Sequence, residues 1–428
     1  MIGGVPPRPL ASIHASFELQ RVSLACLAAF LFLLGCTAQQ IDTLSPPQPT
    51  AKPLSWQLHG HTMRDDYAWL QTESSATTEA LKNESRYADL VLDTLTSEQE
   101  EFLTSLQRWS ETADPLKTRK IHIGEYEYYP KQDANMPWPA IYRRSAENVD
   151  TASELILDMN ILHIEYPNAR PGVMRPNLSG NRVAITIDLH GSHESILLLR
   201  NIELKQTIPL MRGSFGSLEW LDDTRFVFTE RNQQQIPNVL RYYDLNQPQE
   251  MRELLHANRP SDSIQLRSAK DTSGIYVELG DLDSNQIFWI LRTPEKPRLD
   301  SLTKRIAGTD FSAVRWRNEH VILQRSSDSQ AAISTANGSA LYRAAPDESM
   351  EAIEAFQAGL VVWIRKRGQL SAGVLRSEQL CYPEPPFSAA VMQQLQNSNY
   401  TSNRIELATS NLARPSEIYA FDLNHCSI

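Results

Sequence analysis

Nucleophilic hydrolysis is the first chemistry to test for in this chain of 428 residues. An α/β-hydrolase nucleophile sits on a strained strand-to-helix turn, which demands small neighbours in the pattern G-x-S-x-G. No serine of the chain is flanked in that way. The nearest string, Gly213-Ser214-Phe215-Gly216-Ser217, lacks the final glycine. It runs into Leu218-Glu219-Trp220 without a strand–turn–helix context and reads as a loop. His59 and His61 could place two imidazoles on one strand face, but a metal site needs three or four ligands and no third is evident, so no metal is expected. His190-Gly191-Ser192-His193-Glu194 resembles a metal string only superficially. Gly191 marks a turn there, and a hairpin tip is the better reading. The carboxylate pairs Asp65-Asp66, Asp222-Asp223 and Asp281/Asp283 lack an acid–base context. No phosphate-binding glycine loop is present, and no cofactor is expected.

The cysteines carry a different chemistry. Arg21 precedes a thirteen-residue apolar or small run, Val22 to Leu34. That is too short to span a bilayer but suits a signal-peptide core. Leu33-Leu34-Gly35-Cys36 then looks like a lipobox, so residues 1–35 are expected to be removed and the Cys36 sulfur to take lipid. Thr37, rather than Asp, follows Cys36, which points to the outer membrane, facing the periplasm. Cys26 leaves with the signal. Cys381 and Cys426 remain in an oxidising compartment, where they either pair or stay as buried thiols. The formal charge of −10, with no run of basic residues, gives no electrostatic reason to bind nucleic acid.

The elements that would position these groups fall into three stretches. Residues 36–58 are polar and proline-rich, as a tether would be. Residues 59–117 should hold two helices. Leu81, Ala88, Leu92 and Leu95 share one face of the first. The second opens with a capping box between Ser97 and Glu100, and Phe102, Leu106 and Trp109 follow at helical spacing. From residue 118 to 424 the pattern becomes one of short strands rich in β-branched and aromatic residues. Seven strand pairs recur: Glu125–Tyr129 with Ala140–Arg143, Arg182–Ile187 with Ser195–Asn201, Arg225–Thr229 with Val239–Asp244, Gly274–Glu278 with Gln286–Leu291, His320–Gln324 with Ala331–Thr335, Gly359–Ile364 with Leu370–Leu375, and Arg404–Ala408 with Glu417–Asp422. One core position per repeat, Val183, Phe226, Ile275, Val321, Leu360 and Ile405, steps by 39 to 49 residues. That is the period of a four-stranded propeller blade. The expected fold is mainly β: about seven blades after a short helical segment.

Several strings resemble the N-terminal portion of the prolyl oligopeptidase family of serine peptidases, most closely its oligopeptidase B-like branch. They are His59-Gly60 with Arg64-Asp65-Asp66-Tyr67 and Trp69-Leu70, an altered E-N-x-Y-like element at Asn83-Glu84-Ser85-Arg86-Tyr87, Glu125–Tyr129 with Pro139–Arg144, and Ala413–Leu423. The resemblance covers residues 59–423. It implies a structural role for His59, Gly60, Arg64, Asp65, Asp66, Tyr67 and Trp69. It further implies a propeller that admits short peptides to a serine-type endopeptidase site carried by a following hydrolase domain.

No residue of this chain takes over the family's Ser, Asp or His, so the expected catalytic set is empty. The resemblance also implies that the helices pack on the hydrolase domain, which would leave Leu81, Leu92, Phe102, Leu106 and Trp109 as a partner-docking face. Three readings follow: a non-catalytic lipoprotein that binds peptide or protein, one part of a split peptidase completed by a hydrolase-like partner, or a truncated peptidase product.

Overall fold

The computed structural model describes residues 45–112, 120–133, 136–148, 150–293, 296–376, 378–388 and 390–428. The signal segment, Cys36 and the first part of the tether lie outside them. The chain divides into two compact units, Met1–Asp114 and Pro115–Ile428.

In the first unit, strands β1 (Leu54–Leu58) and β2 (His61–Asp65) form an antiparallel hairpin. The end of the segment read as a tether is therefore a strand. The alternation Leu54, Trp56, Leu58 and the turn residues His59-Gly60 explain it, since both adopt the positive φ (50° and 80°) that a tight hairpin turn requires. Helix α1 (Ser75–Asp93) is capped by the Ser74 side chain, which accepts from the Thr77 amide at 3.1 Å. Helix α2 spans Thr96–Thr112. Its expected capping box does not form: Ser97 lies inside the helix and donates to Glu98 at 2.8 Å. The helix starts earlier because Thr96 bonds back to the Asp93 carbonyl at 2.8 Å. Among the described residues no helix is long and apolar enough to cross a membrane.

The second unit is a seven-bladed β-propeller. The inner strands, one per blade in chain order, are Ile121–Ile123, Arg170–Pro176, Phe215–Trp220, Ser263–Ser268, Thr309–Trp316, Glu348–Phe356 and Val391–Gln394. Each blade is an antiparallel meander, four-stranded in blades 1 to 6 and three-stranded in blade 7. All seven expected strand pairs occur, several extended by one to three residues at an end. The six expected core positions are at most 1% exposed. The core is a chain of six apolar clusters, one between each successive pair of blades from 1/2 to 6/7. That is why the middle strands are buried on both faces: Arg182–Asp188 runs Val-Ala-Ile-Thr-Ile-Asp without an exposed residue after Arg182.

Among the described residues every sheet is continuous in sequence, and no strand is exchanged between the first and last blades. Across that seam the His122 amide donates to Ser398 Oγ at 2.7 Å. A disulfide between Cys381, in the outer strand of blade 6, and Cys426 ties the C-terminal segment to blade 6.

Candidate functional site

The string Gly213–Ser217 is not a loop, apart from Ser214. Ser214 is a one-residue connection, and Phe215–Ser217 belong to the inner strand of blade 3, where Thr229 Oγ1 bonds to the Ser217 amide at 2.8 Å. The His190–Glu194 string is the tip of a hairpin. Asp188 accepts there from the amides of His190, Gly191 and Ser192 on one oxygen and His193 on the other, at 2.8–3.1 Å. Burial opposes ionisation of Asp188, but the four amides outweigh it and hold its carboxyl below the usual range. Asp222 shapes the turn before Arg225 in the same manner, accepting from the Thr224 and Arg225 amides at 2.8 Å each. Asp223 Oδ1 meets Asn177 and Ser179 of the preceding blade's loop at 2.8 and 2.7 Å.

The motif in the first unit stabilises local structure. The Asp65 carboxylate accepts from the Tyr67 amide at 2.7 Å, Arg64 pairs with Asp66 at 2.8 Å, and Trp69 Nε1 donates to the Thr50 carbonyl at 3.1 Å. Lys52 lies over the Trp69 ring, 4.2 Å from its centre. His59 sits at the hairpin turn and His61 begins β2. Leu81, Leu92, Phe102, Leu106 and Trp109 are all exposed, from 41% to 66%.

The chemistry-bearing residues that do converge are ones the strand pattern left unnamed. Two adjoining cavities, of about 690 Å³ and 280 Å³, occupy the propeller's centre. They share Arg267, Lys270, Glu354 and Gln394. Their lining takes residues from the inner strands of all seven blades, from His122 in blade 1 to Gln394 in blade 7.

One register position supplies four of the charged lining residues. Arg175, Glu219, Arg267, Val314 and Glu354 each pair with the middle-strand residue of their blade that faces the next blade: Ala184, Val227, Tyr276, Val321 and Val361. Around the channel this row reads positive, negative, positive, neutral, negative.

The carboxylates in the row are well satisfied. Glu219 pairs with Arg175 at 2.9 Å and accepts from Ser268 Oγ at 2.6 Å. Arg292 in turn donates to Ser268 Oγ at 2.6 Å, to the Trp220 carbonyl at 2.8 Å and to the Thr272 carbonyl at 2.7 Å. Glu354 binds Lys270 through one oxygen. Its other oxygen accepts from Trp363 Nε1 at 2.8 Å and Gln394 Nε2 at 2.7 Å. Desolvation lowers the pKa of Lys270, Arg267 and Arg292 despite nearby carboxylates, as a crowded channel of low polarisability requires. His320 bonds to the Tyr276 hydroxyl at 3.1 Å, and its imidazole is held below its ordinary range by burial and by Arg315.

A signal for this row is present in the sequence: a charge interrupting an apolar inner strand, as in Leu218-Glu219-Trp220 or Ile353-Glu354-Ala355, at the blade period. Only an alignment of the blades on one another exposes it.

The model of the prolyl oligopeptidase N-terminal β-propeller domain matches residues 46–427. The chain belongs to this family. Two curated relatives are uncharacterized peptidases of Sinorhizobium fredii, y4qF and y4sO. They are 26% and 24% identical over 200 and 190 residues, each match covering 44% of this chain. The matches span only 25% and 26% of those relatives' lengths.

Among solved structures, oligopeptidase B from Leishmania major superposes with a TM-score of 0.75 at 16% identity. Oligopeptidase B from Trypanosoma brucei, bound covalently to antipain, gives 0.73 at 14%. In both cases the match covers 89% of this chain and 59% of the other. At such identities the likeness is one of fold. The prolyl oligopeptidase propeller is thus established here, and the charged row is described in this chain's own residues.

Proposed function

We propose that these residues form a peptide-binding module, displayed in the cell envelope on a lipid at Cys36, and that their work is binding rather than bond cleavage. The observation supporting it is the pair of central cavities, lined from all seven blades by donors and acceptors close to apolar side chains such as Leu266, Trp220 and Val314. A narrow, concave, mixed-polarity site suits an extended chain, whose backbone needs both kinds of partner. Calorimetry of the full chain in detergent with short capped peptides should show saturable binding. Gln396→Trp, which places an indole in the larger cavity, should abolish it. Absence of binding, or binding indifferent to Gln396→Trp, refutes the reading. Cys36→Ser should abolish palmitate labelling and release the chain from membranes; unchanged labelling refutes the anchor.

A second reading, supported by the exposure of Leu81, Leu92, Phe102 and Leu106, is that the helices receive a hydrolase-like chain and complete a serine-type peptidase. It requires a co-purifying hydrolase whose activity on peptides rises when this chain is added and falls with Phe102→Glu. Activity independent of this chain excludes it.

A further inference from the structure

Arg175 in blade 2 and Arg267 in blade 4 occupy the same place in their repeats and meet the following blade in the same manner. Arg175 donates to the Leu218 carbonyl, and the next residue, Glu219, supplies a carboxylate at 2.9 Å. Arg267 donates to the Ala313 carbonyl, and the next residue is Val314. Blade 5 therefore offers Arg267 the carbonyl without the carboxylate.

No other acid replaces it. Glu219 and Glu354 are engaged as described. Asp271 pairs with Arg315 at 3.3 Å, and Glu278 accepts from Asn285 at 2.8 Å. Among the described residues no carboxylate stands within ion-pair distance of Arg267. Its guanidinium rests over the Tyr276 ring, 5.1 Å from the centre, is exposed to the channel, and lines both cavities. An arginine cannot shed its proton to relieve this. In a crowded site an uncompensated charge favours an incoming counter-charge, and the guanidinium fork matches a carboxylate.

We propose that Arg267 is an anion-recognition point at which a peptide carboxylate takes the position that Glu219 fills for Arg175. The module then selects acidic peptides. This rests on the channel binding peptides and adds which peptides those are.

The test uses calorimetry on the full chain with three pentapeptides: acetyl-Ala-Ala-Glu-Ala-Ala-amide, its Gln counterpart, and the Gln counterpart with a free C-terminal carboxylate. At least one carboxylate-bearing peptide should bind about tenfold more tightly than the neutral one, the scale of a charge-assisted hydrogen bond. The Glu and free-acid peptides separate a side-chain source from a terminal one. Arg267→Gln should erase the difference. Val314→Glu should erase it too, by supplying the missing carboxylate from within while leaving Arg267 in place. In both variants the neutral peptide should keep saturable binding and lose less affinity than the acidic one, which reports that the channel is intact. Equal affinity for all three peptides, or Arg267→Gln weakening the neutral peptide as much as the acidic one, overturns the inference while peptide binding stands. No binding of any peptide overturns both.

Discussion

Glu354 provides a demanding test of how the channel's charges are held. Its side chain is 8% exposed and makes three contacts: Lys270 on one oxygen, Trp363 and Gln394 on the other. Glu354→Ala leaves a partly buried ammonium and an indole N–H without their acceptor. Removing one member of a buried pair costs about 3–5 kcal/mol. Lys270→Met is different. Glu354 keeps two neutral donors, and a methionine preserves the aliphatic stem near Phe356, over whose ring the Lys270 ammonium lies at 3.8 Å. The loss is one charge-assisted bond from a carboxylate that stays solvated by dipoles, about 1.5–3 kcal/mol. The double variant Glu354→Ala/Lys270→Met should cost less than the two single losses combined by about 1.5–3 kcal/mol, because it leaves no orphaned charge. Urea unfolding followed by tryptophan fluorescence measures all three, with Trp363 as a reporter adjacent to the change. If Lys270→Met costs as much as Glu354→Ala, or the double variant shows no coupling, the assignment of Glu354 as the hub is wrong.

Three further outcomes follow from the same geometry. Asp188→Ala should cost about 2–3 kcal/mol by stranding hairpin amides. Because the Asp188 pKa is depressed in the fold, its contribution is full above the ordinary carboxylate range and lost as pH falls through the folded value; an acid limb unchanged in Asp188→Ala would contradict this. His320 also binds its proton less tightly in the fold, in its case because burial disfavours the charged imidazolium: its unfolded imidazole takes up a proton first, so stability should decline as pH drops through about 6.5 and level off below the folded value. His320→Gln should flatten that stretch of the urea midpoint-versus-pH curve, and an identical slope would refute it. Reducing the Cys381–Cys426 disulfide, which links residues 45 apart, should lower stability by about 2–4 kcal/mol, read from the urea midpoint with and without reductant; no shift would show that the C-terminal segment is held without it.

What the sequence determined by itself is the repeat. Middle strands packed between two blades must be apolar on both faces, so Val183, Phe226, Ile275 and their counterparts stand out at the blade period, and strand pairing follows from local turns. Helix boundaries were less legible: Ser97 has the chemistry of a cap, yet the Thr96–Asp93 contact starts the helix earlier. The tight turn at His59-Gly60 similarly converted the last residues of a proline-rich stretch into a strand. The tertiary structure alone decided the channel. Arg175, Glu219, Arg267 and Glu354 follow one another at steps of 44, 48 and 87 residues in sequence, each in a different inner strand. Their partnership depends on closing a ring, which sets one register position of each blade against the next. The same closure shows where the row is incomplete. A valine at 314 is an ordinary core residue in the sequence, and only beside Arg267 does it become a missing carboxylate.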